Sequence, residues 1–533
     1  MELAVGRMGN ILDRAISAVS PVSGARRMAA RAAMEGFGRV SRGEFRTEAR
    51  SRKELAEYRG AGVDRLIGRW NPGGGSADAD LTGGLSTLRA RSRDLVQNNG
   101  YASGMALSKT NNVIGTGIRP QSRVDGAVLG LSEEESAAVS RRAEEAWARW
   151  VPTADAAGRL DFYELQWLAY HQRFVNGESL ALARWLDDGA SLGRLRGRFV
   201  LQLLESDRLE SPWVSRGATG SPDIRMGVET GKLGEALAYW ILKKHPGDTY
   251  TFQFLGAGEF TRIPARDDDG RPNVIHLFRP TRAGQSRGAP ELSSVLHLFR
   301  HLDQYLEAEV IAARIASCFA LFIQQGDAFA LQSGNVSETT SSGVRLEDLD
   351  PGIIAYGGPG DQMTQIQPVR PGSTFDPFVR RVLRQVGASC SFPYSVLSWD
   401  FSDASWSSLR QEILEAQRQW RSEQAWFSRT FCQPVWELAL ENAYLRGEFE
   451  APEFYRYRAA YCRCRWIPPG WQWVDPAKEV LAIQKALALN LTTLADEAAN
   501  RGKDWEEVIE QRGREIRREN EAGVAPVAPV AKP

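Results

Sequence analysis

An α+β fold with more than one subdomain is what the sequence predicts, and three observations predict it. Segments with helical apolar spacing and short strand-like runs occupy separate stretches, as in mainly antiparallel mixed folds. Two long segments, 290–324 and 405–446, hold a helical period. A chain of 533 residues also exceeds what a single hydrophobic core serves.

Residues 1–60 contain twelve Lys/Arg and seven Asp/Glu, a basic arm carrying about five net positive charges. "NPGGGSADADLTGG" (71–84) is a Gly/Pro/Asp-rich break. Apolar residues Leu85, Leu88, Leu95, Ala102, Met105 and Val113 then recur at helical spacing up to "GTG". Ser132 with Glu135 three residues on is a capping box that opens a helix over 132–150, and another helix covers 161–175. Up to Pro280 the chain turns to short strands, "RFVLQLLE", "ALAYWILKK", "DTYTFQFL" and "NVIHLFRP".

The 290–324 segment has no internal Gly or Pro and predicts a rod of about 45–50 Å. Loop and short-strand material fills 326–372, and "FDPFVRRVLRQVGA" is a shorter helix. Residues 389–405, "SCSFPYSVLSWDFSDAS", form a long connection without a clear period, the kind of length that function usually explains. In the second long helix Pro434 removes one i→i−4 bond and predicts a kink. Asp475-Pro476 opens a small helical unit to about residue 520, and the Ala/Pro/Val tail is expected to be disordered.

Composition excludes several functions. Formal net charge is zero, which argues against tight wrapping of nucleic acid through phosphate neutralisation. Five scattered cysteines in a large chain read as reduced thiols. No apolar run spans a bilayer, so no membrane partner is expected, and the N-terminus lacks the apolar centre of a signal peptide. There is no phosphate-cradling G-x-x-x-x-G-K-[ST] loop. His297 and His301 share a helix face but lack a third ligand, and Cys462-x-Cys464 lacks two. No catalytic, cofactor-binding or metal-binding residues are therefore nominated, and no cofactor is expected. The tryptophans would suit a carbohydrate-active cleft, yet Trp406, Trp420, Trp426 and Trp436 fall on one helix, where packing is the simpler use.

Five stretches together resemble the lambda-type tailed-phage portal family. They are "LRARSRDLVQNNGYASG" with "TNNVIGTGIRPQ"; "NGESLALARW" with "LQLLESDRL"; "GVETGKLGEALAYWILKKHPGD"; the run from "HLFRPTRAGQ" to "AARIAS"; and "SWSSLRQEILEAQRQWR" with "FCQPVWELAL" and "WQWVDPAKEVLAIQKAL". Each is weakly specific alone, but five in order span about residues 43–520.

The resemblance implies a portal fold. A mixed wing would occupy 61–290 with a return at 447–475. Stem helices at 291–325 and 373–388 would bracket a clip at 326–372. A tunnel loop would follow at 389–405, then the kinked helix at 406–446, a helical crown at 476–520 and a free tail at 521–533. It implies a non-enzymatic ring of identical copies, a dodecamer by expectation, at one capsid vertex in the virion, assembled in the host cytoplasm. Double-stranded DNA would pass through it without sequence reading. The terminase large subunit, a head-completion or adaptor protein, and scaffold or capsid protein would dock on it. Trp399, Asp400, Phe401, Ser402 and Asp403 are then the candidates facing the DNA channel. In a ring of packed helices we also expect a helix running through 93–104, bent at Gly100, whose missing side chain admits a neighbouring backbone. The competing readings are an assembly module that binds nucleic acid through the basic arm, and a Trp-rich carbohydrate-active enzyme.

Overall fold

The computed structural model describes residues 72–186, 197–212, 223–248, 259–318, 322–324, 362–364, 375–402, 405–471 and 476–523. The basic arm, most of 326–372, most of "DTYTFQFL", Asp403, Asp475 and the last ten residues lie outside them. The helices and strands of the described residues belong to the unit that begins at Ser76.

Helices come first. The 71–84 break contains a short helix, α1 (Ala77–Thr82), because the Ser76 side chain accepts from the Ala79 amide. Then α2 (Leu85–Asn98) and α3 (Gly100–Val113) pack against each other. The expected continuous helix through 93–104 is corrected here. Asn99 is extended, at φ −111° and ψ 121°, and its side-chain oxygen accepts from the Ala102 amide at 3.0 Å. A side chain that caps a new helix competes with continuation of the old one, and here it wins. Gly100 is simply the first residue of α3, and a Cβ there would meet nothing within 4 Å in this copy.

Strand β1 (Arg119–Ser122) and the short α4 (Gly126–Leu129) lead to α5 (Glu133–Trp150), which carries the predicted Ser132/Glu135 capping box. A second capping box, Asp161 with Glu164, opens α6 (Phe162–Asn176). Next come β2 (Glu178–Leu186) and β3 (Arg198–Leu204). They are followed by β4 (Asp223–Arg225), β5 (Val228–Thr230), β6 (Ala236–Leu242), β7 (Phe260–Pro264) and β8 (Val274–Phe278). The strand pairings within these sheets are antiparallel, in a three-stranded sheet ordered β3-β2-β8 and a four-stranded sheet ordered β4-β5-β6-β7. The central strand β2 was absent from the expected set, since "ESLALA" is apolar without alternation and reads equally as helix.

The predicted rod is shorter than expected. A 3₁₀ turn at Glu291–Ser294 precedes it, and Val295 breaks the ladder at φ −120°, ψ 1°. Helix α7 (Leu296–Cys318) therefore has 23 residues, about 35 Å. Strands β9 (Phe322–Gln324) and β10 (Gln362–Thr364) pair antiparallel. Helix α8 (Phe375–Ser389) and the short α9 (Tyr394–Ser398) follow. Next, α10 (Trp406–Phe427), a π-helical turn at Ser428–Cys432 and α11 (Gln433–Leu445) form one helical run. Pro434 stands in the first turn of α11, directly after that turn, where its missing N–H frees a carbonyl of the preceding turn. A short α12 (Arg458–Tyr461) leads to β11 (Cys464–Ile467), which pairs with β1. Three further helices, α13 (Pro476–Ala488), α14 (Leu494–Asn500) and α15 (Trp505–Glu521), end the described chain.

The tryptophans are mostly spent on the core. Trp147 packs on Trp150, Phe162 and Trp436, with ring centroids 4.8, 4.8 and 5.3 Å away. Trp436 and Trp420 are also buried, which removes them from any sugar-binding surface. Cys462 and Cys464 do not share a strand face, because Cys462 lies beyond α12 and only Cys464 is in β11. Burial pushes the Cys462 thiol up to about 12 and the Cys432 thiol well above its usual range, so both stay protonated. His297 and His301 are both exposed on α7.

Candidate functional site

The described residues of the segment singled out at 389–405 fold into a compact corner. Helix α8 buries Val379, Leu383, Val386 and Gly387, one stripe at helical spacing. The chain reverses immediately after it. The Phe392 amide donates to the Gly387 carbonyl at 2.8 Å, and Ser391 takes a positive φ of 50°. The reversal presses the Phe392 carbonyl onto Gly387, where a Cβ would stand 2.5 Å from that oxygen. Gly387→Ala is accordingly expected to destabilise the corner by about 1–3 kcal/mol. A lowered thermal midpoint, together with faster amide exchange in 390–398, is the measurement that checks it.

Pro393 then starts α9, whose Leu397 and Ser395 are buried. The Ser395 hydroxyl donates to Glu412 Oε2 at 2.8 Å, tying the short helix to α10. Between α8, α9 and α10 lies a cavity of about 490 Å³, lined by Gly387, Phe392, Tyr394, Glu412 and Glu415 among others. Phe392 reaches the buried Trp420, with centroids 6.2 Å apart. Arg384 lies over the Tyr394 ring at 5.1 Å.

At the tip, Trp399 ends α9 in the left-handed region and is 75% exposed. Phe401 is 47% and Trp406 58% exposed, so three large aromatic rings face outward along one short stretch. Between the first two, Asp400 is held by its neighbours. Its Oδ1 accepts from the Ser402 hydroxyl at 2.5 Å and the Ser402 amide at 3.1 Å, and Arg380 Nη2 lies 3.5 Å from Oδ2. The Ser402 hydroxyl first, then its amide, and more weakly Arg380 hold this carboxyl below the ordinary aspartate range. Trp399, Asp400, Phe401 and Ser402 thus lie together, while Asp403 falls outside the described residues. Gly100 and Pro434 belong to other parts of the fold, on α3 and α11. The corner presents apolar rings and an ionised carboxylate, with no nucleophile–base pair among these four residues.

Sequence reasoning missed a buried polar junction close by. Lys109 on α3 pairs with Glu291 and, at 3.0 Å, with Glu423 on α10. Arg173 on α6 reaches the same two carboxylates at 2.5 and 3.4 Å, and the Tyr170 hydroxyl donates to Glu423. Lys109 and Glu423 are buried. A faint signal was present. Lys109 follows Met105 and Ala106 on the apolar stripe of α3, and Glu423 lies between Trp420 and Phe427 on that of α10. Among the described residues one group could hold a metal ion, Glu205, Asp207 and His245, and there Arg93 already pairs with Asp207.

Comparisons with known proteins agree in direction. The family model described as phage portal protein, lambda family, matches residues 63–424. The portal protein of Escherichia phage N15 is 28% identical over 508 residues, covering 90% of this chain and 93% of its own. Portal protein B of Escherichia phage lambda is 27% identical over 510 residues, covering 90% and 92%. The probable portal protein of Halomonas phage phiHAP-1 is 28% identical over 469 residues, covering 86% of each chain. A solved chain from the neck of a native GTA particle aligns over 79% of this chain and 93% of its own, at 11% identity and a TM-score of 0.40, too slight a likeness to establish a shared fold.

Proposed function

This chain belongs to the lambda family of phage portal proteins, and from that premise we propose that its copies close into a dodecameric ring at one capsid vertex. Double-stranded DNA enters through the axial channel during packaging and leaves through it at ejection. The terminase large subunit and a head-completion or adaptor protein dock at the outer end of the ring, and scaffold or capsid protein meets its rim. Assembly takes place in the host cytoplasm, and the ring is then built into the virion.

We assign the corner at 389–405 to the channel wall, with Trp399, Asp400, Phe401, Ser402 and Asp403 facing the duplex. The observation that carries this is the exposed Trp399–Ser402 tip, where apolar rings flank a carboxylate held ionised. A conduit must let DNA slide, and every phosphate neutralised by a cation adds affinity that would hold it. Apolar surface and a fixed negative charge give the phosphates no purchase. A formal net charge of zero over the whole chain is consistent with that role. A closed ring also requires two different, complementary faces on each copy, joined head to tail.

The test is direct. Replacing Phe401 and Asp403 together by alanine is expected to leave ring assembly intact while lowering the yield of DNA-filled particles several-fold. Normal packaging by the double variant would remove the corner from the channel. End-on electron micrographs of the purified protein, with subunits counted, test the ring itself.

A further inference from the structure

We infer that Glu144 is a protonation-dependent latch holding the C-terminal helical unit, Pro476–Glu521, against α5 and β1. Among the contacts that seat that unit, three lie along this seam. The Gln121 side-chain amide donates to Asp504 Oδ1 at 2.8 Å, and Arg465 Nη2 lies 2.8 Å from Asp496 Oδ1. Gly470 lies so close to the unit that a Cβ there would come 2.3 Å from the Asn500 carbonyl oxygen. No residue of α13, α14 or α15 is itself buried, so little apolar burial supports this seating.

The seam encloses a cavity of about 320 Å³ with Glu144, Trp147 and Tyr163 on one side and Asp504 and Glu507 on the other. Glu144 Oε1 accepts from the Ser122 amide at 2.6 Å. The charged groups facing it are unbalanced. The start of α15 brings Asp504, Glu506 and Glu507. Strand β1 brings Arg119, whose guanidinium lies over the Tyr163 ring of α6 at 5.9 Å. Just beyond β1, Arg123 donates to Gln121, and on β11 Arg465 is taken by Asp496. The nearby Cys464 thiol is pushed far up by burial and stays neutral. A carboxyl in this seam therefore meets three like charges.

Burial raises Glu144, the Ser122 amide lowers it, and Asp504, Glu506 and Glu507 raise it further, to about 7. A carboxyl that binds its proton more tightly when docked than at its ordinary 4.5 weakens docking as pH rises from 4.5 toward 7. The effect levels off over about the next pH unit above 7. If undocking returned Glu144 fully to its ordinary value, docking would weaken about tenfold between about pH 6 and about pH 8.5.

Hydrogen exchange on the assembled full-length protein tests the latch, with every amide corrected for its intrinsic rate at each pH. In the wild type, protection of residues 505–521 is expected to fall by up to about tenfold from about pH 6 to about pH 8.5. In Glu144→Gln, protection should be equal at the two pH values. Glu506 and Glu507 are exposed, so E506Q/E507Q preserves the fold; because burial is the larger cause of the rise, this variant should lessen the dependence without removing it, even if Glu144→Gln disturbs its surroundings. Equal protection in the wild type at both pH values, or an undiminished fall in the variants, overturns the latch.

Discussion

Glu178→Ala is expected to be among the most destabilising single changes in this chain, at about 3–5 kcal/mol. Glu178 opens β2 and its side chain is 0% exposed. Three cationic or basic groups converge on it from distant parts of the sequence. Arg89 of α2 and Arg287 reach Oε1 at 2.5 and 2.6 Å, and His276 Nε2 of β8 lies 3.0 Å from Oε2. The Gly288 amide donates to Oε2 at 2.8 Å. Burial alone would raise this carboxyl, but Arg287 and then Arg89 outweigh it and hold it well below the ordinary range.

Removing the carboxylate leaves two buried guanidinium groups with only carbonyl oxygens to donate to. Arg287 would retain the Leu209 and Ser206 oxygens at 2.8 and 2.9 Å, and Arg89 the Asn176 oxygen at 3.1 Å. Two like charges would then be left close together, with only Asp207, itself paired with Arg93, as a counter-charge to Arg89. A urea titration followed by tryptophan fluorescence measures the cost as a lowered midpoint. A loss under about 1 kcal/mol would mean that the arginines find other partners.

The second large effect is expected at Glu423→Ala, again about 3–5 kcal/mol. Glu423 joins α10 to α3 and α6, and through Lys109 and Arg173 to Glu291 at the foot of α7. With two cations and two carboxylates the junction is balanced, so deleting one carboxylate strands a charge in a dry environment. Burial would raise Glu423, but Lys109 first, then Arg173 and the Tyr170 hydroxyl, bring it down to about 2. The folded value lies below the ordinary 4.5, so the stabilisation is fully present above about pH 4.5 and is lost as pH falls through 2. Wild-type stability should decline across that window, and Glu423→Gln should show a shallower decline. Identical acid profiles for the two proteins would show that this group does not govern the loss.

Much of the architecture was legible because helical spacing and caps are local codes. The stripe on 375–389, the two-sided 161–175 segment and the Ser132/Glu135 pair each specify a helix from residues a few positions apart. The order of five motifs along the chain carried the family, since sequence order survives where spatial detail is unseen. The corner at 394–398 was not legible, because a helix of five residues has too few turns to show a period.

The sequence by itself determined where the long helices and the strands β3, β6 and β8 lie, and to which family the chain belongs. Only the tertiary structure decided that Asn99 ends one helix and caps the next. Only it decided that Glu178 and Glu423 are buried counter-charges, and that Glu144 faces the acidic start of α15. The physical reason is range. A cap or an apolar stripe is settled within one or two turns, whereas a buried ion pair joins residues such as Arg89 and Glu178, 89 positions apart. Whether a charge there stabilises or disrupts depends on what the fold brings against it.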